Sequence, residues 1–327
     1  MTRLSALSNV RLDNFVYTLD CFKAARSHLT PKGGTALYFM ASTDYIFDRL
    51  AGMMSKTFDE LPVVYMKYHA LFNTIIMAGP AFAHQSTERR VNFKEAYFRE
   101  FLPRMSLPND DWPYLYLRSR GVSSFYFGIM GLIAVSAILG VALASTEMRR
   151  SLMTGAGMDK EMFLFGLAFL LLETRSVTVM NLAWGATWLT SAVVFGSILA
   201  TVLATTILYQ LRPIPWRIGI GGVIVSLLIS YVFPTQFLLN NNTLAKLGLS
   251  LLFVGTPIFF ASLCFAALFG KCADAAAAFG WNLLGAVAGG LLEFLSMLIG
   301  LKSLLLLALV AYVAAAIIHL RSNPSGR

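Results

Sequence analysis

The chain has few of the residues that carry chemistry in soluble enzymes. Only 13% of its 327 residues are charged, and it contains three cysteines and four histidines. Three cysteines as scattered as Cys21, Cys264 and Cys272 exclude a disulfide framework. The histidines show no metal-ligand spacing, so we expect no metal site. The excess of 26 basic over 17 acidic residues forms no clustered basic face, so we expect no nucleic-acid partner.

Long apolar runs are abundant instead. A membrane-spanning helix needs about 20 mostly apolar residues. Seven stretches approach or exceed this length, at roughly 122–145, 162–184, 188–209, 216–232, 247–269, 275–300 and 303–320. Their uninterrupted apolar character differs from the alternation of a membrane β-barrel. The sequence therefore predicts a multi-pass integral membrane protein with about seven transmembrane helices and membrane lipid as its partner. We expect a bacterial-type inner (plasma) membrane.

The charged residues are concentrated before residue 122. Residues 1–121 hold 15 of the 26 Lys and Arg and 11 of the 17 Asp and Glu. Within them, hydrophobic periodicity and turn residues predict a helix over 17–29 capped by Thr18, a strand over 35–40 and a helix over 44–58. Strands over 61–68 and 72–78 follow. We expect a partial α/β domain at 1–84, an amphipathic helix (86–101) and junction within 85–121, a transmembrane domain at 122–320 and a polar tail at 321–327.

The α/β region has no nucleotide-binding loop. A doubly wound sheet holds its nucleotide with Gly-x-Gly-x-x-Gly after a strand and an acidic residue at the end of a second strand. Neither feature is present, and Pro31-Lys-Gly-Gly34 precedes a strand, so it is a turn. The pattern predicts the second half of a Rossmann-like domain without its nucleotide-binding half.

Charged side chains interrupt two of the apolar runs. Glu173 and Arg175 lie in the second run, two positions apart, and point about 200° away from each other on a helix. Glu293 lies in the sixth run, where Asn282, Ala286, Gly289 and Glu293 share one helix face. A buried charge needs a partner, so we predict an Arg175–Glu293 ion pair within an intramembrane polar centre of Glu173, Arg175, Asn282 and Glu293. The centre is either a ligand site, for a cation or a polyamine-like molecule, or a structural clamp that fixes helix register.

Small residues and loop charges give two further expectations. Gly285 and Gly289 form a small-xxx-small spacing, which is typical of closely packed helices and predicts self-association through this face. Loop Lys and Arg concentrate after the first, third and fifth runs. If residues 1–121 are cytoplasmic, this inverts the usual positive-inside bias. Either that region faces outward or the number of spans differs by one.

Several motifs resemble a known family. The segments are Val10–Thr18, Ala24-Ala-Arg26 with Gly33-Gly34, Asp110-Asp-Trp-Pro-Tyr-Leu-Tyr-Leu-Arg118, Gly166–Arg175 and Asn282–Glu293. In this order they resemble the spermidine-synthase-like polytopic membrane proteins, from the late half of the methyltransferase-like domain through the following bundle. The resemblance covers about residues 8–320. The implied fold is a membrane all-α bundle preceded by a partial α/β Rossmann-like domain of methyltransferase type.

The resemblance implies a function for a longer parent. Such a parent would transfer an aminopropyl or methyl group from S-adenosylmethionine or its decarboxylated form. The nucleoside-binding loop and the catalytic carboxylate would lie before Met1, so we expect this chain to be inactive alone and to hold no cofactor itself. Asp13 and Tyr17 are the nearest candidates for the rim of the ligand pocket. The alternatives are a transporter that uses the buried Glu/Arg centre and a non-catalytic membrane scaffold.

Overall fold

The chain divides into two units between Gly121 and Val122. The structure is a computed structural model that describes residues 12–41, 43–66, 73–84, 100, 102–122, 124–155, 157–185, 188–233, 238 and 242–322. An α/β unit covers residues 10–121, and a helical unit contains every element from residue 124 onward.

The α/β unit follows the predicted order of elements. It contains α1 (Leu19–Ser27), β1 (Thr35–Met40), α2 (Asp44–Phe58), β2 (Val63–Met66) and β3 (Asn73–Ala78), with 3-10 turns at Leu12–Tyr17, Pro80–Phe82 and Leu102–Arg104. Thr18 caps α1 as predicted, because its hydroxyl oxygen accepts a hydrogen bond from the Cys21 N–H at 3.2 Å. The predicted amphipathic helix over 86–101 lies outside the described residues except for Glu100.

Three strands form a small antiparallel sheet in the order β1-β3-β2. The central strand β3 is antiparallel to both neighbours, so β1 and β2 are parallel and α2 connects them. Leu50, Met53 and Met54 of α2 are fully buried in one core cluster with Val64 and Ile76 of the sheet. One face of the sheet is therefore covered by α2. A larger Rossmann-like sheet is not present among the described residues.

The helical unit consists of consecutive helices, most of which are apolar. They are α3 (Ser124–Ala144), α4 (Thr146–Thr154), α5 (Lys160–Trp184), α6 (Trp188–Leu211), α7 (Trp216–Val232), α8 (Thr243–Ser250), α9 (Thr256–Phe269), α10 (Ala275–Leu292), α11 (Ser296–Ile299) and α12 (Ser303–Ser322). A π turn (Leu251–Gly255) joins α8 to α9, and a 3-10 turn (Glu293–Leu295) joins α10 to α11.

Six of these segments are long and apolar enough to cross a membrane. They are α3, α5, α6, α8 with α9, α10 with α11, and α12. The prediction of a multi-pass helical membrane protein is confirmed at this level. The fourth predicted run forms α7, which has 17 residues and is about 25 Å long. It packs antiparallel to α9, since Gly219 lies against Cys264 while the Ser230 hydroxyl donates to the Phe253 carbonyl at 3.2 Å.

Helix α5 is central to the bundle. Its most extensive contacts are with α10 and α12, and it also touches α6 and α9. Residues from the first turns of α5 and α7 lie around one cavity with residues from the last turns of α9 and α12. At the same end of the bundle, the side chain of Asp274, which caps α10, is hydrogen-bonded to the side chain of Glu147 in α4. We call this the Arg217 end of the bundle, and the opposite end, where α12 begins, the Lys302 end.

Candidate functional site

Glycines bring α5 and α10 together inside the bundle. A side chain at Gly285 would overlap the Phe163 carbonyl, and one at Gly166 would overlap the Asn282 carbonyl. A side chain at Gly289 would meet the Leu167 carbonyl. The two helix backbones therefore touch, as small residues allow in membrane proteins. The face predicted to point into the bundle does so.

This contact fixes the depth of Glu293. Phe163 lies opposite Gly285 and Leu167 opposite Gly289, so the two parallel helices keep one register. Continued by one turn, the register places Glu293 level with Leu171, one turn before Arg175. Glu293 is 7% exposed and lies where α10 changes to a 3-10 turn.

The predicted Arg175–Glu293 pair agrees with this register. A helical side chain leans toward the helix N-terminus, so the Arg175 guanidinium extends toward the level of Glu293. Both residues have interaction partners in the structure. The pairing of one with the other stays a prediction.

Glu173 and Asn282 lie apart from these two residues. Glu173 shares the α5 face of Phe169 and Val177, which pack against a core cluster of α6 and α9, whereas Arg175 lies on another face. The Asn282 amide donates to the Met162 carbonyl at 3.1 Å, near the start of α5. Eleven residues separate Asn282 from Glu293, which corresponds to about 16 Å along a helix. The four predicted residues therefore occupy more than one depth and more than one face.

Gly285 and Gly289 already have neighbours within the chain. Both pack against α5. Self-association through them stays a prediction, and it would require α5 to move away from α10.

The structure reveals a polar cavity at the Arg217 end that the sequence analysis did not identify. Its volume is about 400 Å³, and the residues around it come from four helices and two connections. The lining residues are Asp159, Glu161, Met162, Trp216, Arg217, Leu268, Lys271, Cys272, His319 and Leu320. We call this cavity the His319 pocket.

A contact between the first turn of α5 and the last turn of α12 forms one wall of the pocket. The His319 Nδ1 lies 2.9 Å from the Glu161 carboxylate, and both side chains are largely buried. The indole of Trp216 packs edge-on against the His319 ring, with 4.5 Å between ring centroids. Since 158 positions separate Glu161 from His319, no local pattern could have paired them. The only sequence signal was that each of these two polar residues lies at the end of an apolar run.

A thiol lies beside the same carboxylates. Cys272 follows α9, and burial together with the negative charges of Asp159 and Glu161 raises the pKa of its thiol. A thiol with a raised pKa is a poor nucleophile at neutral pH. Among the described residues, no group of three or more His, Cys, Asp or Glu side chains could hold a metal ion.

The two residues predicted at a ligand rim lie at the start of the α/β unit. The Tyr17 ring packs edge-on against Phe39, with centroids 5.0 Å apart. This is a core contact of the unit. Asp13 falls in the 3-10 turn before it, and its side chain lies outside the described part of the chain. Whether either residue contacts a ligand stays a prediction.

Arg49 organises the junction segment of residues 109–118. Its side chain comes from α2, and the residue is only 5% exposed. The guanidinium donates to the carbonyls of Leu115 at 2.8 Å, Leu117 and Arg118 at 3.1 Å. It also lies over the rings of Tyr45 and Trp112. Arg49 therefore supplies hydrogen-bond donors to several backbone carbonyls of the segment that carries the junction motif.

A carboxylate cluster attaches the same segment to α1. The Thr18 hydroxyl donates to the Asp110 carboxylate at 2.7 Å, and the Asp110 N–H donates to the Asp20 carboxylate at 2.9 Å. Burial raises the pKa of Asp110; the Thr18 hydrogen bond opposes this shift, and the nearby Asp20 charge adds to it. The hydrogen bonds of Asp110 attach the segment to α1, while burial of its charged form is electrostatically unfavourable.

Comparison with protein-family models, with curated proteins and with solved structures finds no match to this chain. The class of protein is therefore defined by the fold alone, as a multi-pass helical membrane protein with a small α/β unit.

Proposed function

We propose that this chain is the C-terminal part of a spermidine-synthase-like protein of a bacterial-type inner membrane. Its parent would transfer an aminopropyl or methyl group from an adenosyl sulfonium donor. The supporting observation is the β1-α2-β2-β3 arrangement, in which a reversed strand lies between two parallel strands joined by a helix. Two parallel strands joined by a helix form the βαβ unit from which doubly wound sheets are built, and a methyltransferase-type domain has such a sheet.

The open side of the sheet supports the same proposal. Tyr38 and Met40 of β1 are each 66% exposed, on the face opposite α2. Sheets of the doubly wound kind are covered on both faces, and their strands are apolar throughout. β1 reads Thr-Ala-Leu-Tyr-Phe-Met and is an edge strand of the described sheet. Further strands and helices beside β1 would cover these side chains and supply the donor pocket.

The first test is to measure donor binding. The full chain in detergent would be titrated with S-adenosylmethionine and with its decarboxylated form by calorimetry. The second test is to read the codons upstream of Met1. We expect no binding by this chain, and an in-frame extension that encodes a glycine loop after a strand. A stop codon and a ribosome-binding site directly before Met1 would contradict the proposal.

A transporter is the second candidate, because α5 carries two charges in the middle of a helix that crosses the bundle. A charged group in such a helix is a functional candidate by default. Glu293 adds a buried carboxylate at the tight α5–α10 contact.

Flux measurements separate this function from a structural clamp. Glu173→Gln and Glu293→Gln would be compared with Glu147→Gln, an exposed control at the Arg217 end, for uptake of labelled polyamines and cations into proteoliposomes. A transporter predicts flux in the parent chain and in the control, and its loss in the two variants. No flux in any of them, with unfolding at lower temperature in Glu293→Gln, would favour the clamp or scaffold.

A further inference from the structure

Helix α4 joins two membrane-spanning helices at the Arg217 end and is itself too short to cross a membrane. It has nine residues and follows α3 with only Ser145 between them. After its last residue, Gly155 and Gly157 have positive φ angles of 69° and 77°. Glycine adopts such angles without steric cost, so the chain leaves α4 through two permissive positions. The place of α4 therefore depends on its contacts with the bundle.

One face of α4 packs on the first turns of α10. The Met148 side chain is 1% exposed and lies beside Gly280, where an added Cβ atom would be 3.3 Å from Met148 atoms. Ser151, three positions further on, is buried on the same face. Met148 is the one large side chain of α4 that is buried. Because so little apolar surface holds the helix, a polar contact beside Met148 can shift the balance between docked and undocked α4.

Two carboxyl groups meet at the edge of this contact. Glu147 of α4 is hydrogen-bonded to Asp274, and ionised carboxylates have no donor, so one of the two must hold a proton. Asp274 accepts the Ala277 N–H at 3.0 Å, which favours its charged form. This backbone hydrogen bond lowers the pKa of Asp274, whereas the hydrogen bond to Asp274 and its negative charge raise the pKa of Glu147. Glu147 is therefore the residue that holds the proton.

The other charges of the elements around Glu147 are basic. Arg149 and Arg150 lie on α4 itself and are exposed, and Lys271 lies in the connection before α10. Neither α3, which also packs against α4, nor α10 after its cap contains a charged residue. Arg150 is three positions from Glu147 and would favour its ionised form. Asp274 is thus the acidic group that opposes ionisation of Glu147, and Arg150 is the competitor to be tested.

We propose that Glu147 and Asp274 form a pH-sensitive latch, which fastens α4 to the start of α10 when Glu147 is protonated and releases it when Glu147 ionises. The protonated carboxyl donates to Asp274, whereas two carboxylates at the same place repel each other. Docking raises the pKa of Glu147, so the stability of docked α4 is fully present below the ordinary pKa of a Glu and is lost as pH rises through the raised value. The latch stands independently of a transferase or transporter function.

The test measures the position of α4 in the full chain by pulsed electron paramagnetic resonance. Cys21, Cys264 and Cys272 would be replaced by serine, and nitroxide labels attached at Met153→Cys on α4 and Leu211→Cys at the end of α6. The native side chains at the two label positions are 82% and 80% exposed, so labels there leave the packing intact. Distances would be recorded in detergent between about pH 4 and about pH 8, which covers the ordinary pKa of Glu and a raised one.

The expected result is one docked distance at low pH and a smaller docked population as pH rises. Exposed charge pairs change such equilibria by a few-fold, so the ratio of docked to undocked α4 should fall by about twofold or more. Glu147→Gln should keep the docked distance at every pH, because its amide donates to Asp274 without ionising. Arg150→Gln is the matched control, since it removes a charge from the same helix and should leave the pH response unchanged.

Three results would overturn the latch. A docked population that stays constant with pH in the parent chain would mean that the carboxyl pair does not hold α4. A pH response that persists in Glu147→Gln would assign the response to another group. Loss of the response in Arg150→Gln would show that an ion pair between Arg150 and Glu147, and not a proton shared with Asp274, sets the position of α4.

Discussion

Two polar residues attach the irregular segment of residues 109–118 to the helices of the α/β unit. Arg49 satisfies several carbonyls of one irregular segment, and Asp110 attaches that segment to α1. A segment without regular structure cannot satisfy its own backbone, so buried carbonyls need donors from elsewhere. Here the donor is a cation that is itself packed between aromatic rings.

Replacing Arg49 by Met should destabilise the α/β unit by about 3 kcal/mol, because buried carbonyls lose a charged donor. Hydrogen exchange of α2 and of residues 109–118 in the full chain would measure this as a lower opening free energy. Arg104→Met is the control, since Arg104 is exposed. Equal effects of the two substitutions would show that the carbonyl contacts do not stabilise the unit.

Replacing Asp110 by Asn should stabilise the α/β unit at pH 7. The pKa of Asp110 is raised in the folded state by burial, so its ionisation on going to neutral pH opposes folding. The parent chain loses stability as pH rises through the folded-state pKa of Asp110, whereas the introduced Asn does not ionise and the variant keeps that stability. The amide oxygen of the introduced Asn can still accept the Thr18 hydrogen bond. Slower exchange of α1 amides in Asp110→Asn should therefore be seen at pH 7 and disappear below the pKa of an unfolded Asp. A variant that exchanges faster at pH 7 would mean that the charge itself is needed.

At the scale of elements, the α5–α10 contact determines how the bundle is built. Glycines on both helices allow carbonyl oxygens of one to lie where a side chain of the other would be. Helices packed this closely in lipid are held by van der Waals contact, since lipid offers no hydrophobic drive between them. This contact also presents Glu293 to α5.

Gly285→Ala should destabilise the bundle by about 1–3 kcal/mol, because the new methyl group overlaps the Phe163 carbonyl and overpacking forces the helices apart. Thermal unfolding in detergent, followed by circular dichroism, would show the lower midpoint. The matched control is Gly128→Ala on α3, where no neighbouring atom lies within 4 Å. It should be neutral or slightly stabilising, since Ala is the better helix former. If Gly285→Ala behaved like the control, the close contact would be wrong.

Elements with a local cause were predictable from the sequence. The α2 bounds of 44–58 and the β1 bounds of 35–40 agree with the structure, because helix periodicity, apolar runs and flanking turns are local signals. The fifth apolar run was predicted to start at 247, whereas the helix begins at Thr243. The missed signal was Asn242, whose side chain caps the Leu244 and Ala245 N–H groups.

Features with a tertiary cause were not predictable. The π turn at Leu251–Gly255 and the 3-10 turn at Glu293–Leu295 interrupt helices that read as continuous in sequence. The His319 pocket joins chain segments that are more than 100 residues apart. Such contacts depend on which helices become neighbours, and a single sequence does not contain that information in any local pattern. The polar residues of α5 and α10 were found because charge within an apolar run is itself a local anomaly.

At the scale of the whole molecule, the two ends of the bundle differ in charge. Seven Lys and Arg lie at or near the Arg217 end: Arg149, Arg150, Lys160, Arg212, Arg217, Lys271 and Arg321. Among the described residues of the helical unit, those at the Lys302 end include two basic residues, Lys246 and Lys302. Cytoplasmic loops carry the excess of Lys and Arg in membrane proteins. The asymmetry predicts that the Arg217 end, with the His319 pocket, faces the cytoplasm.

Cysteine labelling in sealed vesicles of known sidedness would test this orientation. The three native cysteines would be replaced by serine, and single cysteines introduced as Thr154→Cys at the Arg217 end or Ser303→Cys at the Lys302 end. A membrane-impermeant maleimide should label Thr154→Cys only from the cytoplasmic side and Ser303→Cys only from the other side. The reverse pattern would mean that loop charge does not orient this protein. The helices from α5 to α11 cross the membrane an odd number of times between the two positions. Labelling of both positions from the same side would contradict this arrangement.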